Sequence, residues 1–170
     1  MPPHSTNRYA DAMGRIFAAM ALAFALFATL PSPAAEGDGA AAVIERVNAF
    51  RNAHGLKPVA SDPKLMAAAQ AHAEAMAASG VFSHNGSDGS LTERMVRAGY
   101  AYATAAENIG YGARTAEETV AGWIQSPPHM RNLLEPTVRD AGVGHVMAAA
   151  KGHDPATDYW CLILGEPAPP

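Results

Sequence analysis

Hydrophobic residues first recur at helical spacing along this chain and then gather into short continuous runs. Val43, Val47 and Phe50 occupy positions i, i+4 and i+7, which predicts a helix over residues 41–54 that ends at Gly55. Capping signals predict the other helices. These cover residues 63–79 after Asp62, residues 91–98 after the Ser-Leu-Thr-Glu box at 90–93, and residues 115–125 after the box at 115–118, with one further turn at 129–134.

Near the end of the chain the pattern changes from helical to β-type. Residues 140–149 and 159–165 are apolar runs separated by a polar loop that contains Gly and Pro, which predicts an antiparallel pair. Residues 107–112 predict a short strand, and residues 100–106 are interpreted as irregular or β-like. Helices that precede strands in this way favour an α+β layered domain.

The amino-terminal segment differs from the rest of the chain. Arg8 and Arg15 precede an apolar run of 15 residues, 16–30, followed by small residues. Such a run spans about 22 Å as a helix, less than the roughly 30 Å of a hydrocarbon core, so a cleaved signal peptide is favoured over an uncut anchor. Ser32 and Ala34 fit the cleavage site, which predicts a secreted protein, extracellular or periplasmic, that is not an integral membrane protein after cleavage. The predicted divisions are a signal peptide at 1–34, a linker at 35–40, a domain at 41–165 and a disordered tail at 166–170.

Charge and cysteine content exclude several classes of protein. The 12 basic and 16 acidic side chains give a net charge of −4, which argues against a nucleic-acid partner. A single cysteine excludes an internal disulfide framework and a Cys-rich zinc module. Cys161 lies within an apolar β-type run, so we predict a buried, unreactive thiol.

Several short motifs follow one another along the chain. They are Ile-Glu-Arg-Val-Asn-Ala-Phe-Arg at 44–51, Phe-Ser-His at 82–84, Ala-Glu-Asn-Ile at 106–109, Gly-Trp-Ile-Gln-Ser-Pro-Pro-His at 122–129 with Asn-Leu-Leu at 132–134, and Gly-Val-Gly at 142–144 before Tyr-Trp at 159–160. Together they resemble the CAP superfamily of cysteine-rich secretory, antigen 5 and pathogenesis-related proteins, in its short bacterial branch. The resemblance covers about residues 41–165.

This resemblance implies an α-β-α sandwich with a central antiparallel sheet and a shallow cavity. In the family, two histidines and two glutamates line that cavity and can bind a divalent metal. The motifs carry the first histidine over to His84, the first glutamate to Glu107 and the second histidine to His129. The second glutamate has no counterpart, because Trp123 is followed by Ile, Gln and Ser.

Two imidazoles and one carboxylate suit Zn²⁺ with an open fourth position, so the resemblance predicts weak zinc binding at His84, Glu107 and His129. The three residues are 23 and 22 positions apart, and no two of them lie one helical turn apart. The alternative is a polar cavity whose side chains hydrogen-bond to one another. His72, on the apolar face of its helix, is interpreted as a core or cavity-wall residue.

Two functions remain open at this stage. The first is a secreted binding module whose central cavity adjoins a groove for a small apolar ligand or an envelope or extracellular partner. The second is a metal-dependent hydrolase that acts on peptide or cell-wall material. The missing glutamate counts against it, because no acid is left as a general base once Glu107 is a ligand. A nucleophilic triad of Ser126, His129 and Glu107 is disfavoured, since no Gly-x-Ser-x-Gly elbow is present.

Overall fold

The computed structural model describes residues 38–150, 152 and 155–169. The predicted signal peptide at 1–34 lies outside these residues, as does its cleavage site. Within the described part of the chain, no helix combines the length and apolar character needed to cross a membrane.

Five helices and four strands make up the described domain. The helices are α1 (Asp38–Ala53), α2 (Pro63–Ser79), α3 (Leu91–Arg97), α4 (Ala116–Gln125) and α5 (Pro127–Leu133). The strands are β1 (Ala60–Ser61), β2 (Tyr102–Tyr111), β3 (Asp140–Ala148) and β4 (Thr157–Pro167).

The predicted caps fix where the central helices begin. The Asp62 carboxylate accepts hydrogen bonds from the amides of Lys64 and Leu65 at the start of α2, and Gly80 ends that helix with φ = 71°. At α3, Ser90 and Glu93 form the reciprocal capping box that the sequence predicts. Local sequence therefore sets the ends of the two helices that flank the loop carrying His84.

The sheet has the strand order β1-β3-β4-β2. β4 pairs antiparallel with both β2 and β3, which confirms the predicted α+β fold and the antiparallel pairing of the last two strands. The sequence analysis does not predict β1, which pairs parallel with β3 through only two residues. Two residues are too few to show the period-2 pattern of a strand, which explains why β1 is not predicted. Because the other pairings are antiparallel, the described sheet is mixed only at the edge formed by β1.

Successive residues of β4 face opposite layers of helices. Trp160, Leu162 and Leu164 belong to one core cluster, which includes residues of α1, α4 and α5. Tyr159, Cys161 and Ile163 belong to the other, which includes residues of α2 and α3. This alternation produces the α-β-α sandwich and buries Cys161 completely, as predicted.

α2 lies against β3 at two glycines. A Cβ atom on Gly142 would lie 2.0 Å from the carbonyl carbon of Leu65, and one on Gly144 would lie 2.3 Å from the carbonyl oxygen of Ala69. The Gly-Val-Gly motif therefore brings a helix backbone directly onto a strand.

A buried arginine ties α1 to the end of α5. Arg51 is fully buried and donates hydrogen bonds to the carbonyl oxygens of Lys57, Leu133 and Glu135 at 2.8–2.9 Å. Its pKa is lowered by burial and by the charge of Arg139, against the opposing effect of Glu135. Arg51 thereby fixes the helix that carries His129.

Several boundaries differ from the sequence prediction, including the starts of α5 at Pro127 and of β4 at Thr157. Residues 38–40, predicted as linker, form the first turn of α1. The segment at 102–106, interpreted as irregular or β-like, belongs to β2. Residues 166 and 167, predicted as tail, continue β4 because they pair with Thr104 and Tyr102. In each case tertiary contacts extend an element beyond its local sequence signal.

Candidate functional site

Glu107 lies at the centre of the candidate site, on β2. Its side chain is only 3% exposed, yet both carboxylate oxygens have partners. Oε1 lies 2.8 Å from Nδ1 of His84, and Oε2 lies 2.5 Å from Nη2 of Arg94. Burial alone would raise the pKa of Glu107, but the hydrogen bond from His84 and the charge of Arg94 together hold that pKa below its ordinary value.

This contact determines which nitrogen of His84 is protonated. An ionised carboxylate only accepts hydrogen bonds, so Nδ1 of His84 donates to Glu107 and the neutral ring keeps its lone pair on Nε2. The side chain of His84 is 52% exposed. A buried carboxylate therefore orients a half-exposed imidazole, an arrangement suited to accepting a proton or a hydrogen bond from a bound molecule.

A second carboxylate–imidazole pair lies beneath the first. His72, on α2, is fully buried, and its Nδ1 lies 2.9 Å from Oδ2 of Asp88. Its Nε2 lies 3.9 Å from Oε1 of Glu107 and has no hydrogen-bond partner among the described residues. His72 thus takes the cavity-wall position that the sequence predicts.

Arg94 connects the two carboxylates. Its side chain is 1% exposed, and Nε lies 3.8 Å from Asp88 while Nη2 binds Glu107. It also donates to the backbone oxygens of His84 and Gly89, which holds the loop between α2 and α3 against the cluster. The sequence analysis missed Arg94 and Asp88. Arg94 lies in the last turn of α3, and no local motif of the sequence marks it as a site residue.

Two asparagines position the second histidine. Nδ2 of Asn108 donates to the carbonyl oxygen of His129 at 3.1 Å. Nδ2 of Asn132 donates to Oδ1 of Asn108 and to the carbonyl oxygen of Glu107. These bonds attach α5 to β2 next to Glu107, which explains why the Ala-Glu-Asn-Ile and Asn-Leu-Leu motifs occur together.

The structure brings His84 and Glu107 into contact, while His129 lies nearby without bonding to either through its ring. The pKa of His129 is lowered, first by partial burial and then by the charge of His84. No hydrogen bond joins the side chain of Ser126 to His129 or Glu107 in the described chain, so the alternative triad is not assembled.

A groove opens beside His129 along β2 and α4. Its volume is about 440 Å³, and its walls include Phe82, Ile109, Tyr111, Trp123, Ser126 and His129. Phe82 is 46% exposed and Tyr111 is 57% exposed, with ring centroids 5.7 Å apart. Trp123 is buried in the wall, where its indole N–H donates to the carbonyl oxygen of Ile109. The wall of the groove thus combines aromatic and aliphatic side chains with imidazole, hydroxyl and carboxylate groups.

The side chains around Glu107 are a poor match to the zinc ion that the family resemblance implies. Among the described residues, no group of three His, Cys, Asp or Glu side chains is arranged to hold a metal ion. Glu107 already accepts hydrogen bonds at both oxygens, and the fixed positive charge of Arg94 opposes a cation beside it. The residues as arranged do not fit a strong zinc site. Weak zinc binding stays a prediction.

Comparison with known proteins places this architecture in context. Two relatives from Bacillus subtilis match, the uncharacterized protein YkwD at 39% identity over 105 residues and the uncharacterized membrane protein YlbC at 31% over 103 residues. The matches cover 61% and 60% of this chain but only 41% and 30% of those proteins, so the chain spans less than half the length of either relative.

Solved structures share the fold at lower identity. An extracellular protein containing an SCP domain from Bacillus anthracis has a TM-score of 0.67 at 23% identity, covering 76% of this chain and 41% of that protein. An outer surface protein from Borrelia burgdorferi has a TM-score of 0.66 at 16% identity, covering 74% and 90% respectively. The family model for the cysteine-rich secretory protein family, CAP, matches residues 44–164. The chain therefore belongs to the CAP family.

Proposed function

We propose that this chain is an extracellular binding module whose groove takes up the apolar groups of a ligand or partner. The observation that carries the proposal is the pair of half-exposed aromatic rings, Phe82 and Tyr111, at the wall of a groove of about 440 Å³. Pockets of this size with mostly apolar walls and a few polar groups are typical of ligand sites.

Phe82 and Tyr111 offer exposed aromatic surface to a ligand. Covering apolar surface contributes about 25 cal/mol per Å², and aromatic side chains dominate many interfaces for this reason. Phe82 and Tyr111 contact each other and Tyr111 contacts Tyr159 at 5.2 Å between ring centroids, so the rings are held in place before a ligand arrives. Because these rings lose little conformational freedom on binding, more of the free energy from covering apolar surface contributes to affinity.

Polar groups at one side of the groove add orientation. The imidazole of His129 and the hydroxyl of Ser126 belong to the wall. His84, on the same loop as Phe82, directs Nδ1 to Glu107, so the neutral form of its ring presents the lone pair of Nε2. A ligand with an apolar body and a hydrogen-bonding group fits this distribution.

The test is a fluorescence titration with 1-anilinonaphthalene-8-sulfonate as the apolar probe. A Cβ on Gly122, which also borders the groove, would meet no atom within 4 Å, so Gly122→Trp adds a large side chain at the groove without a clash at Cβ. We expect Gly122→Trp and Tyr111→Ser to weaken probe binding by about fivefold or more.

Val96→Ser and Met147→Ser are matched controls, since these residues are 68% and 66% exposed outside the groove. Both should bind the probe like the unmodified protein. Undiminished binding by Gly122→Trp would show that the probe binds elsewhere and would refute the proposed groove function.

Hydrolysis is the second candidate, favoured by the hydrogen bond that orients His84 through Glu107. An oriented imidazole with a free Nε2 can act as a general base toward water. Incubation with casein and peptidoglycan, with and without zinc, tests it, and His84→Ala should abolish any cleavage. Cleavage that is unchanged in His84→Ala would refute this role.

A further inference from the structure

The free edge of β2 forms part of the groove. β2 is the terminal strand in the order β1-β3-β4-β2, so one of its edges has no neighbouring strand in the described sheet. The amide of Gly112 donates to the carbonyl oxygen of Asp158 on β4. Because directions alternate along an antiparallel strand, Asn108 and Gly110 also direct their backbone groups toward β4, whereas Ile109 and Tyr111 direct theirs to the free edge.

Side chains from the neighbouring helices confirm this alternation. The indole N–H of Trp123 donates to the carbonyl oxygen of Ile109, and the amide of Asn132 donates to that of Glu107. Both acceptors lie on the free edge, and their bonds to these side chains leave the amides of this edge, rather than these two carbonyl oxygens, for a ligand. The amides of Ile109 and Tyr111 have no partner beyond the sheet in the described chain, and both residues border the groove.

We propose that an extended peptide binds in this groove by adding a strand to the free edge of β2 at residues 109–111, with a basic side chain next to Glu118. This inference rests on the proposed binding function and names the partner. Unpaired strand edges bind extended chains through backbone hydrogen bonds, while flanking pockets select alternate side chains.

Two features of the groove match the backbone and the apolar side chains of such a peptide. The N–H groups of Ile109 and Tyr111 match backbone carbonyl oxygens, since they repeat at the two-residue period of a strand. The rings of Phe82 and Tyr111 offer contacts to apolar side chains. A purely apolar ligand would leave the strand amides without partners, which is unfavourable in a covered site.

Glu118 supplies a negative charge that complements a basic residue of the peptide. It borders the groove, and its Oε2 accepts a hydrogen bond from the amide of Arg114. No ion pair joins Glu118 to a basic side chain in the described chain, whereas the adjacent Glu117 pairs with Arg46 at 3.0 Å. The charge of Glu118 is therefore available to a lysine or arginine of the peptide.

The experiment selects peptides from a phage-displayed library of random dodecapeptides on the whole domain. Counter-selection against Gly122→Trp removes peptides that bind outside the groove. Selected peptides are synthesised and titrated, and amide hydrogen exchange is measured by NMR with and without peptide. We expect enrichment of alternating apolar residues with one Lys or Arg, and slower exchange at Ile109 and Tyr111 on binding.

Two matched comparisons sharpen the result. Glu118→Gln keeps the oxygen that accepts from Arg114, and we expect it to weaken binding of the selected peptides by about two- to fivefold, whereas Glu117→Gln should leave binding unchanged. Methylating the peptide amides one at a time should weaken binding only at alternate positions, since the other amides face away from β2.

Failure to enrich any groove-dependent peptide overturns the inference, as does a bound peptide that leaves the exchange of Ile109 and Tyr111 unchanged. The dye titration separates this result from the proposed function. If Gly122→Trp reduces dye binding but no peptide is selected, the groove binds apolar ligands without adding a strand. If Gly122→Trp does not reduce dye binding and no groove-dependent peptide is selected, both the proposed binding function and the peptide inference are refuted.

Discussion

At Glu107, opposing influences act on a single carboxylate. Burial favours the neutral acid, whereas the hydrogen bond from His84 and the charge of Arg94 favour the anion and prevail, so the pKa is lowered. A carboxyl group with a lowered folded-state pKa stabilises the fold above its unfolded-state pKa of about 4.3. That contribution is lost as the pH falls through the folded-state pKa.

Glu107→Gln tests this balance. Removing the charge of Glu107 leaves the buried Arg94 with only the more distant Asp88 as an anionic partner, so we expect the free energy of unfolding at pH 7 to fall by about 3 kcal/mol. Urea unfolding at several pH values measures the free energy of unfolding of the variant and of the unmodified protein. The difference between the two should become smaller below about pH 4. The exposed Glu45→Gln is the control and should have no such effect. A difference that did not depend on pH would contradict the role assigned to the carboxylate.

We expect weak zinc binding at His84, Glu107 and His129 that depends on pH. Arg94 competes with a cation for Glu107, so we expect zinc to raise the melting temperature only slightly at pH 7.5. The rise should disappear at pH 5.5, where protons compete for free imidazoles. His84→Ala and His129→Ala should each abolish it, while His145→Ala should not. A shift that survives both cavity variants would place the ion elsewhere.

Sequence analysis identifies some residues of the candidate site and misses others for a physical reason. His84, Glu107 and His129 lie in short motifs, so the family resemblance points to them. Arg94 and Asp88 act only because α3 folds against the loop before it, and no local spacing reports that contact. Residues whose role depends on tertiary contact alone are the ones that a single sequence leaves unassigned.

The helices and strands are predicted correctly where capping signals and apolar runs are strong. Asp62 and the Ser90–Glu93 box mark the starts of α2 and α3, and the apolar run at 159–165 marks most of β4. β1 is missed because its two residues are held by pairing to β3 rather than by their own pattern. The ends of α1 and β4 are similarly extended by tertiary contacts.

Gly144→Ala tests the close packing of α2 on β3. The added Cβ would lie 2.3 Å from the carbonyl oxygen of Ala69, and a helix backbone cannot move away as a flexible side chain would. We expect a loss of about 3 kcal/mol in the free energy of unfolding, measured with urea.

Gly122→Ala is the matched control for this substitution. Gly122 lies within a helix and its added Cβ would meet no atom within 4 Å. That variant should gain stability, up to about 1 kcal/mol, because alanine favours a helix over glycine. Equal effects of the two substitutions would contradict the packing argument.

For the molecule as a whole, the first expectation concerns its export. The apolar run at 16–30 and the small residues at 32 and 34 predict cleavage after Ala34. Intact mass spectrometry of the exported protein should give a chain that begins at Ala35 or within two residues of it. An exported chain that retained Met1 would show that the segment is not removed.

The stability of the whole domain can be measured through Cys161. This thiol is fully buried on β4, the strand that both β2 and β3 pair with, and its pKa is raised first by burial and then by the charge of Glu107. The raised pKa keeps the reactive thiolate scarce, and burial keeps reagents away from the sulfur. A thiol reagent should therefore react with Cys161 only when the central sheet opens.

We therefore expect Cys161 to label slowly without denaturant, at a rate set by global unfolding. The free energy of opening obtained from labelling should fall with urea at the slope of the whole unfolding transition. Val96→Cys, which adds a thiol at a position 68% exposed, is the control, and one of its two thiols should react at once. Rapid labelling of the unmodified protein, or a much shallower slope, would show that β4 opens locally and that the two core clusters do not unfold as one unit.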